Sequence, residues 1–395
     1  MLVNLENEEF SKKQITKKKS IKYKNLIIYF ALISLFLLLS IFCIFFYQKL
    51  INNYETIINQ NYKLIQKIKN LQKALNHNFR IVFSLNNYTS NDIQTEEFDE
   101  DLEKKYIENQ HHFCQNNDLF FDKEIEKKIL KVKAHLNDIS FEMFVYNLTD
   151  VVSNAIKDFG YWENSSTYNA INCLKYYSKR EKLSKKEITI LDIGANIGWY
   201  SLYLANSGYE LYSFEVSRIN SYILKKNFCL NEKNKITIIN KGISINKENE
   251  KCILHHPSNN IGNAVILCEQ NANIAINDEK LKEVVEFTKL SNYYNFLSKK
   301  NIALIKIDVE GSEGDVINSG IEFISKYHVP FILIEFRDDY LYMHGTKPKK
   351  LLEMFEQNGY LFSKDNFLSK LYLSIEDVLK LRSTNLYIIY SKYVS

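Results

Sequence analysis

A chain of 395 residues with 46% hydrophobic and 25% charged residues has the composition of a folded protein and not of a disordered one. Its formal charge of +4 is local: residues 1–24 hold seven lysines against three glutamates, and the remainder carries 44 basic and 44 acidic residues. With no basic stripe and interleaved aromatics elsewhere, these numbers argue against a nucleic-acid partner.

The lysine-rich segment 1–24 precedes LIIYFALISLFLLLSIFCIFF, residues 26–46, which are 21 consecutive residues without a charge. As a helix this run spans roughly 30 Å, the thickness of a hydrocarbon core. A cleaved signal peptide would have a shorter apolar region and a small-x-small site after it, whereas Tyr47-Gln48-Lys49 follows here. Residues 25–47 therefore read as a transmembrane signal anchor. The lysines on its N-terminal side predict a cytosolic tail and a lumenal remainder, a type II membrane protein of the Golgi or endoplasmic reticulum. The glycosylation sequons at Asn87, Asn147 and Asn164 agree with that orientation.

Beyond the anchor, Leu50, Tyr54, Ile57, Asn61, Leu64, Ile68, Leu71 and Leu75 alternate at spacings of 4 and 3. Such a seam predicts a helical stalk over 48–76, either one strand of a homodimeric coiled coil or a lone amphipathic helix. Residues 77–138 read as a polar linker. Asp99-Glu100-Asp101 has the form of the D-x-D of metal-dependent glycosyltransferases, but no apolar run precedes it, so a solvated segment is the expectation. Cys43 lies in the anchor, and Cys114, Cys173, Cys229, Cys252 and Cys268 are odd in number with no metal-ligand spacing. One disulfide is conceivable, but spacing does not choose the pair.

From residue 139 to 395 apolar runs alternate with helical patterns. Strands are predicted at Ile188–Ile193, Glu210–Phe214, Ile236–Ile239, Ala303–Ile307, Phe331–Ile334 and Leu386–Tyr390, with helices at about 199–206, 218–229, 312–326 and 349–357. That order predicts an α/β fold with a mostly parallel sheet and a ligand at the carboxyl ends of its strands. Cys252–His255 and Val284–Phe287 read as an antiparallel insertion facing the acceptor.

The turn after the first strand is Asp192-Ile193-Gly194-Ala195-Asn196-Ile197-Gly198. A dinucleotide turn needs a middle glycine and no carboxylate before the first one, since that carboxylate repels a pyrophosphate. No G-K-[ST] follows, which excludes a P-loop. A ligand with a cationic end and no phosphate suits the turn, and S-adenosyl-L-methionine is such a ligand. Asp192 would then attract its amino-acid end, Gly194 and Gly198 would let backbone approach closely, and Glu215, 23 residues on at the end of the next strand, would accept the ribose hydroxyls.

The segments ITILDIGANIGWYSLYLA, LYSFEVS, IALIKIDVEGSEGDVINSG and FILIEF, in this order, resemble the FkbM family of S-adenosylmethionine-dependent methyltransferases. The likeness extends upstream to VVSNAIKDFGYWE and covers about residues 140–390. It implies a class I methyltransferase (Rossmann-like) sheet of seven strands and O-methylation of a hydroxyl, sugar hydroxyls included. Carried over by position, Asp192, Gly194, Ala195, Asn196 and Gly198 would line the methionyl end. Glu215 and Val216 would hold the ribose, Gly242 and Ser244 would lie near the adenine, and Asp308 would face the transferred methyl. Glu163 would reach the cofactor as well.

A hydroxyl acceptor must lose its proton as the new bond forms. Asp308 and Glu310 are the first candidates for that base, with His255, His256 and His344 behind them. Asp308, Glu310, Glu313 and Glu335 could hold a divalent ion, but no spacing requires one and no metal is expected. The expected activity is a membrane-anchored, lumen-facing O-methyltransferase with a glycan or glycoconjugate acceptor. A cytosol-facing enzyme acting on a lipid or metabolite, a non-catalytic scaffold and a glycosyltransferase are the competing readings.

Overall fold

The computed structural model describes residues 97–115, 123–147, 150–248, 252–255, 265–268 and 282–394. The tail, the anchor at 25–47, the stalk at 48–76 and Asn87 lie outside them. Among the described residues no helix is long and apolar enough to cross a membrane. The chain divides into two units, 1–93 and 94–395, and the second is the one described below.

In chain order the strands are β1 (Ile129–Leu136), β2 (Ile139–Tyr146), β3 (Ile188–Ile193), β4 (Glu210–Phe214), β5 (Ile236–Ile239) and β6 (Gly242–Ile243). After them come β7 (Cys252–His255), β8 (Val265–Cys268), β9 (Lys282–Val285), β10 (Phe287–Thr288), β11 (Asn301–Ile307), β12 (Phe331–Arg337), β13 (Tyr360–Ser363) and β14 (Ser383–Tyr390). Seven of them form one sheet in the order β13-β14-β12-β11-β3-β4-β5. All neighbours are parallel except β14, which runs antiparallel to β12 and β13. This is a mostly parallel α/β sheet with the seven strands the resemblance implied.

Both faces of this sheet are covered, which is why its strands read as unbroken apolar runs. Ile190, Leu211, Ile238 and Leu333 enter one core, and Leu191, Tyr212, Ile239 and Ile332 enter the other. The period-2 alternation of side chains assigns them. β4 leaves β3 on one side and β11 joins it on the other, so the connections diverge at β3. The carboxyl ends of β3 and β11 then frame a crevice, the position where open α/β sheets bind ligands.

The helices Trp199–Asn206, Arg218–Cys229, Glu313–Tyr327 and Pro348–Gln357 stand where the periodicity put them. The boundary at 139 is corrected. A helix, Glu100–Gln115, precedes it and belongs to the fold: Gln110 donates to the Ile236 carbonyl and accepts from the Ile238 amide, completing the edge of β5. Phe98 is buried among Tyr106, Tyr293 and Phe296. β1, also placed in the linker by the sequence reading, pairs with β2 as a hairpin. Asp99 of the D-x-D caps this helix, accepting from the Leu102 amide at 2.8 Å. Two disulfides are present, Cys114–Cys229 and Cys252–Cys268, and Cys173 is a buried free thiol. The first staples Glu100–Gln115 to the helix Arg218–Cys229.

β7, β8 and β9 form a separate antiparallel sheet of order β8-β7-β9, the insertion expected between the third and fourth main strands.

Candidate active site

The carboxyl ends of the central strands open on a cavity of about 210 Å³. Its floor is the turn after β3. Gly194 has a left-handed φ of +83°, and a Cβ built on it would lie 1.8 Å from the carbonyl oxygen of Asp308. Glycine is required there because β11's turn crosses directly over it. The Gly194 and Ala195 amides both donate to the Phe214 carbonyl, at 2.9 and 3.0 Å, binding the turn to β4 on its other side. Gly194, Ala195 and Asn196 line the cavity.

Two residues of the turn do something else. Gly198 is not in the cavity wall: its φ is +98°, and a Cβ would stand 2.3 Å from Leu224 Cδ1, so it lets the helix Arg218–Cys229 pack close. Asp192 is also absent from the wall. It points into the sheet's face with 1% exposure, accepts from Ser201 Oγ at 2.6 Å and has Lys306 Nζ at 3.8 Å. Asp192 lies inside β3, beneath the helix Trp199–Asn206 whose Ser201 it holds, and so stays below the crevice. Burial raises its pKa, outweighing Lys306 and Ser201.

Glu215 lies in the wall with 5% exposure. One oxygen accepts from the Asn196 amide at 2.7 Å and the other from the Ser217 amide at 2.8 Å. Asn196 adopts φ +51°, the left-handed conformation that asparagine tolerates better than most residues, and this aims its amide at Glu215. Burial pushes Glu215 up to about 7 against the pull of those two donors. Val216, Gly242 and Ile243 continue the wall beside it.

On the other side of β3 the wall turns acidic. Asp308, Glu310 and Glu335 bring carboxylate oxygens within 4.8 Å of one another. Burial, with repulsion from Asp308 and Glu335, pushes Glu310 up to about 7; burial and Asp308 push Glu335 to about 7. Glu310 takes φ +52° at the turn, and it is Glu313 that accepts from the Val309 and Gly311 amides. The turn is thus satisfied by Glu313, leaving Glu310 in the cavity.

Lys306 was not anticipated. Its Nζ lies 3.2 Å from Asp308 and 4.8 Å from the centre of the Tyr200 ring, with 6% exposure. Burial opposes its charge, yet Asp308 and Asp192 raise its pKa above the ordinary lysine value. Its signal was a lone charge inside the apolar strand IALIKI, legible as a buried partner for a carboxylate. Glu163, a weak candidate, does line the cavity. It accepts from Tyr200 OH at 2.7 Å and Asn385 Nδ2 at 3.2 Å.

Other expected residues fall outside. Ser244 is fully buried and donates to Asp315 Oδ2 at 2.9 Å, away from the wall. His255 closes β7, and its side chain and all of His256 lie outside the described residues. His344 does not line the cavity; its Nδ1 is 3.3 Å from Ser312 Oγ. Asn147 and Asn164 are both exposed.

Residues 192–362 match the family model described as Methyltransferase FkbM domain. No curated protein matches the chain in sequence. Among solved structures it is similar to the bifunctional kinase-methyltransferase WbdD at 12% identity and TM-score 0.36, covering 62% of this chain and 44% of that one. It thus spans less than half the length of that protein. It is also similar to magnesium protoporphyrin IX methyltransferase (ChlM) from Synechocystis PCC 6803 with bound SAM, at 11% identity and TM-score 0.30, covering 62% of this chain and 87% of that one. Precorrin-6y C5,15-methyltransferase from Geobacter metallireducens GS-15 follows at 12% identity and TM-score 0.30, covering 59% and 92%.

Proposed function

We propose, for a chain whose residues 192–362 match the FkbM methyltransferase domain model, that it is an S-adenosylmethionine-dependent O-methyltransferase. In this reading it is anchored as a type II membrane protein with its catalytic domain in the lumen of the Golgi or endoplasmic reticulum. Its acceptor is a hydroxyl of a glycan or glycoconjugate. The observation that carries the cofactor reading is one cavity with a carboxylate, Glu215, on one side of the glycine turn and the cluster Asp308, Glu310 and Glu335 on the other.

The donor set fits the cofactor. The acidic cluster suits a cationic end, Glu215 suits a diol, and the apolar Val216, Ile243 and Phe287 suit a flat base. Bound there, S-adenosylmethionine would supply an electrophilic methyl group on sulfonium. The protein's own part is orientation and proton handling. Lys306 holds Asp308 in an ion pair. Glu310 and Glu335, pushed up to about 7, are matched to accept a hydroxyl proton near neutral pH. Glu310 thus takes the role of base ahead of Asp308.

Lumenal placement is supported by the lysine tail ahead of the apolar run and by the two disulfides, which persist in oxidising compartments. A homodimer through the stalk belongs to the same proposal. The test is calorimetry of the full chain in detergent with S-adenosylmethionine, followed by transfer of a labelled methyl to a panel of glycans. Absence of cofactor binding sinks the enzyme reading. Binding with transfer only to lipids or metabolites, together with a protease-sensitive C-terminus on the cytosolic side, replaces the glycan and the lumen.

A further inference from the structure

The sheet order divides the cavity. β11 and β12, with the acidic cluster, lie on one side of β3, and β4 and β5 lie on the other. The insertion reaches the cavity on the β4 and β5 side. Leu254 of β7, Ile266 of β8 and Phe287 of β10 line it, and Val216, next to Glu215, packs against their small core. Gly242 is shaped to this wall: a Cβ there would stand 2.4 Å from the Phe287 ring, so the ring occupies the space the missing side chain leaves.

Resting on the cofactor reading above, we infer that this insertion is the apolar wall for the cofactor's base, not an acceptor site, and that the Cys252–Cys268 disulfide holds the wall in place. Leu254 and Ile266 are register partners, and Cys252 and Cys268 are partners two residues away on the same face of the ladder. The bond therefore fixes the spacing of the two cavity residues. β9 is secured separately. Glu283 accepts from Ser217 Oγ at 2.9 Å and from the Ile219 amide at 3.2 Å, joining the insertion to the N-terminus of the helix Arg218–Cys229. Among the described strands, β8 pairs only with β7, so the disulfide is the covalent tie that keeps Ile266 against the cavity. The expectation that the insertion faces the acceptor is replaced by this assignment.

The test uses the full chain in detergent, with S-adenosylhomocysteine and 5′-methylthioadenosine as probes, since both carry the base and only the first carries the amino-acid end. The double variant Cys252→Ser/Cys268→Ser, and separately Ile266→Ala with the disulfide intact, should weaken both probes by the same factor, about tenfold. Failure of the wild type to bind either probe refutes the cofactor reading itself. Wild-type binding with unchanged affinity in both variants overturns the wall and leaves the cofactor reading standing. A changed KM for the acceptor with unchanged probe affinity returns the insertion to the acceptor. Should the double variant fail to fold, Ile266→Ala alone decides.

Discussion

Lys306 and Asp308, two residues apart, form an ion pair of 3.2 Å at the end of β11, and both line the cavity wall, Lys306 with only 6% exposure. Strand alternation puts both side chains on the same face, the face on which Asp192 of β3 also points. Lys306 thus joins a carboxylate inside the protein to one that faces the ligand. Removing the cation strands Asp192 with 1% exposure and no cationic partner. Lys306→Met should lower stability by about 3–5 kcal/mol, the usual cost of breaking a buried pair from one side. Urea denaturation measures it, and a loss below about 1 kcal/mol would show that the pair behaves as a surface one.

Glu215→Ala leaves the amides of Asn196 and Ser217 without their partner. About 1–3 kcal/mol per buried donor is the expected cost, so the thermal midpoint falls together with affinity for S-adenosylmethionine. Glu215→Gln keeps only one good acceptor and should lie between. An intact Kd in Glu215→Ala removes this residue from the cofactor site.

The two glycines of the turn should respond differently to alanine. At Gly194 the obstacle is backbone, the Asp308 carbonyl, whereas at Gly198 it is the tip of Leu224. Both carry about 1–2 kcal/mol of left-handed strain, but only Leu224 can rotate away. Gly194→Ala should fail to accumulate as folded protein while Gly198→Ala folds with reduced stability. Equal effects in expression and melting would contradict the close approach of β3 and β11.

Glu215, Glu310, Glu313 and Glu335 are each held near 7 in the folded chain, above the ordinary 4.5, chiefly by burial. A raised carboxyl pKa means the folded state binds protons that the unfolded chain has released. These groups therefore stabilise the fold below about pH 4.5, and the contribution is lost as pH rises through about 7. Glu313→Gln and Glu335→Gln should each flatten the fall of the thermal midpoint across that window. Curves parallel to wild type in both variants would show that the carboxyls are not titrating there.

Reduction of Cys114–Cys229 releases the helix Glu100–Gln115 from the helix Arg218–Cys229. A loop of 115 residues is closed by this bond, worth about 4–5 kcal/mol in the chain-entropy account. Cys114→Ser should lower the thermal midpoint and expose the edge of β5 to hydrogen exchange at Ile238, where Gln110 now accepts. Unchanged exchange there would mean that Gln110 alone holds the helix.

The order of strands and helices from β3 to β14 was legible because a parallel sheet covered on both faces demands apolar runs, and runs of that kind survive in one dimension. The glycine turn, Glu215 and the acids of IDVEG were legible for a similar reason: a short backbone turn places its own residues. What the chain order left undecided was direction and company. Asp192 and Asp308 both stand at strand ends and both follow apolar runs, yet one is buried and the other faces the cavity, because the helix Trp199–Asn206, through Ser201, covers the first and not the second. Gly198 serves Leu224 and Gly194 serves Asp308, partners distant in sequence and set by packing. Glu100–Gln115 reads as polar text because its stability comes from contacts with β5 and a disulfide to Cys229, not from its own pattern. Local spacing determined the turn and its acids; only the tertiary structure decided which carboxylates face the cavity, since that depends on which strand lies beside which.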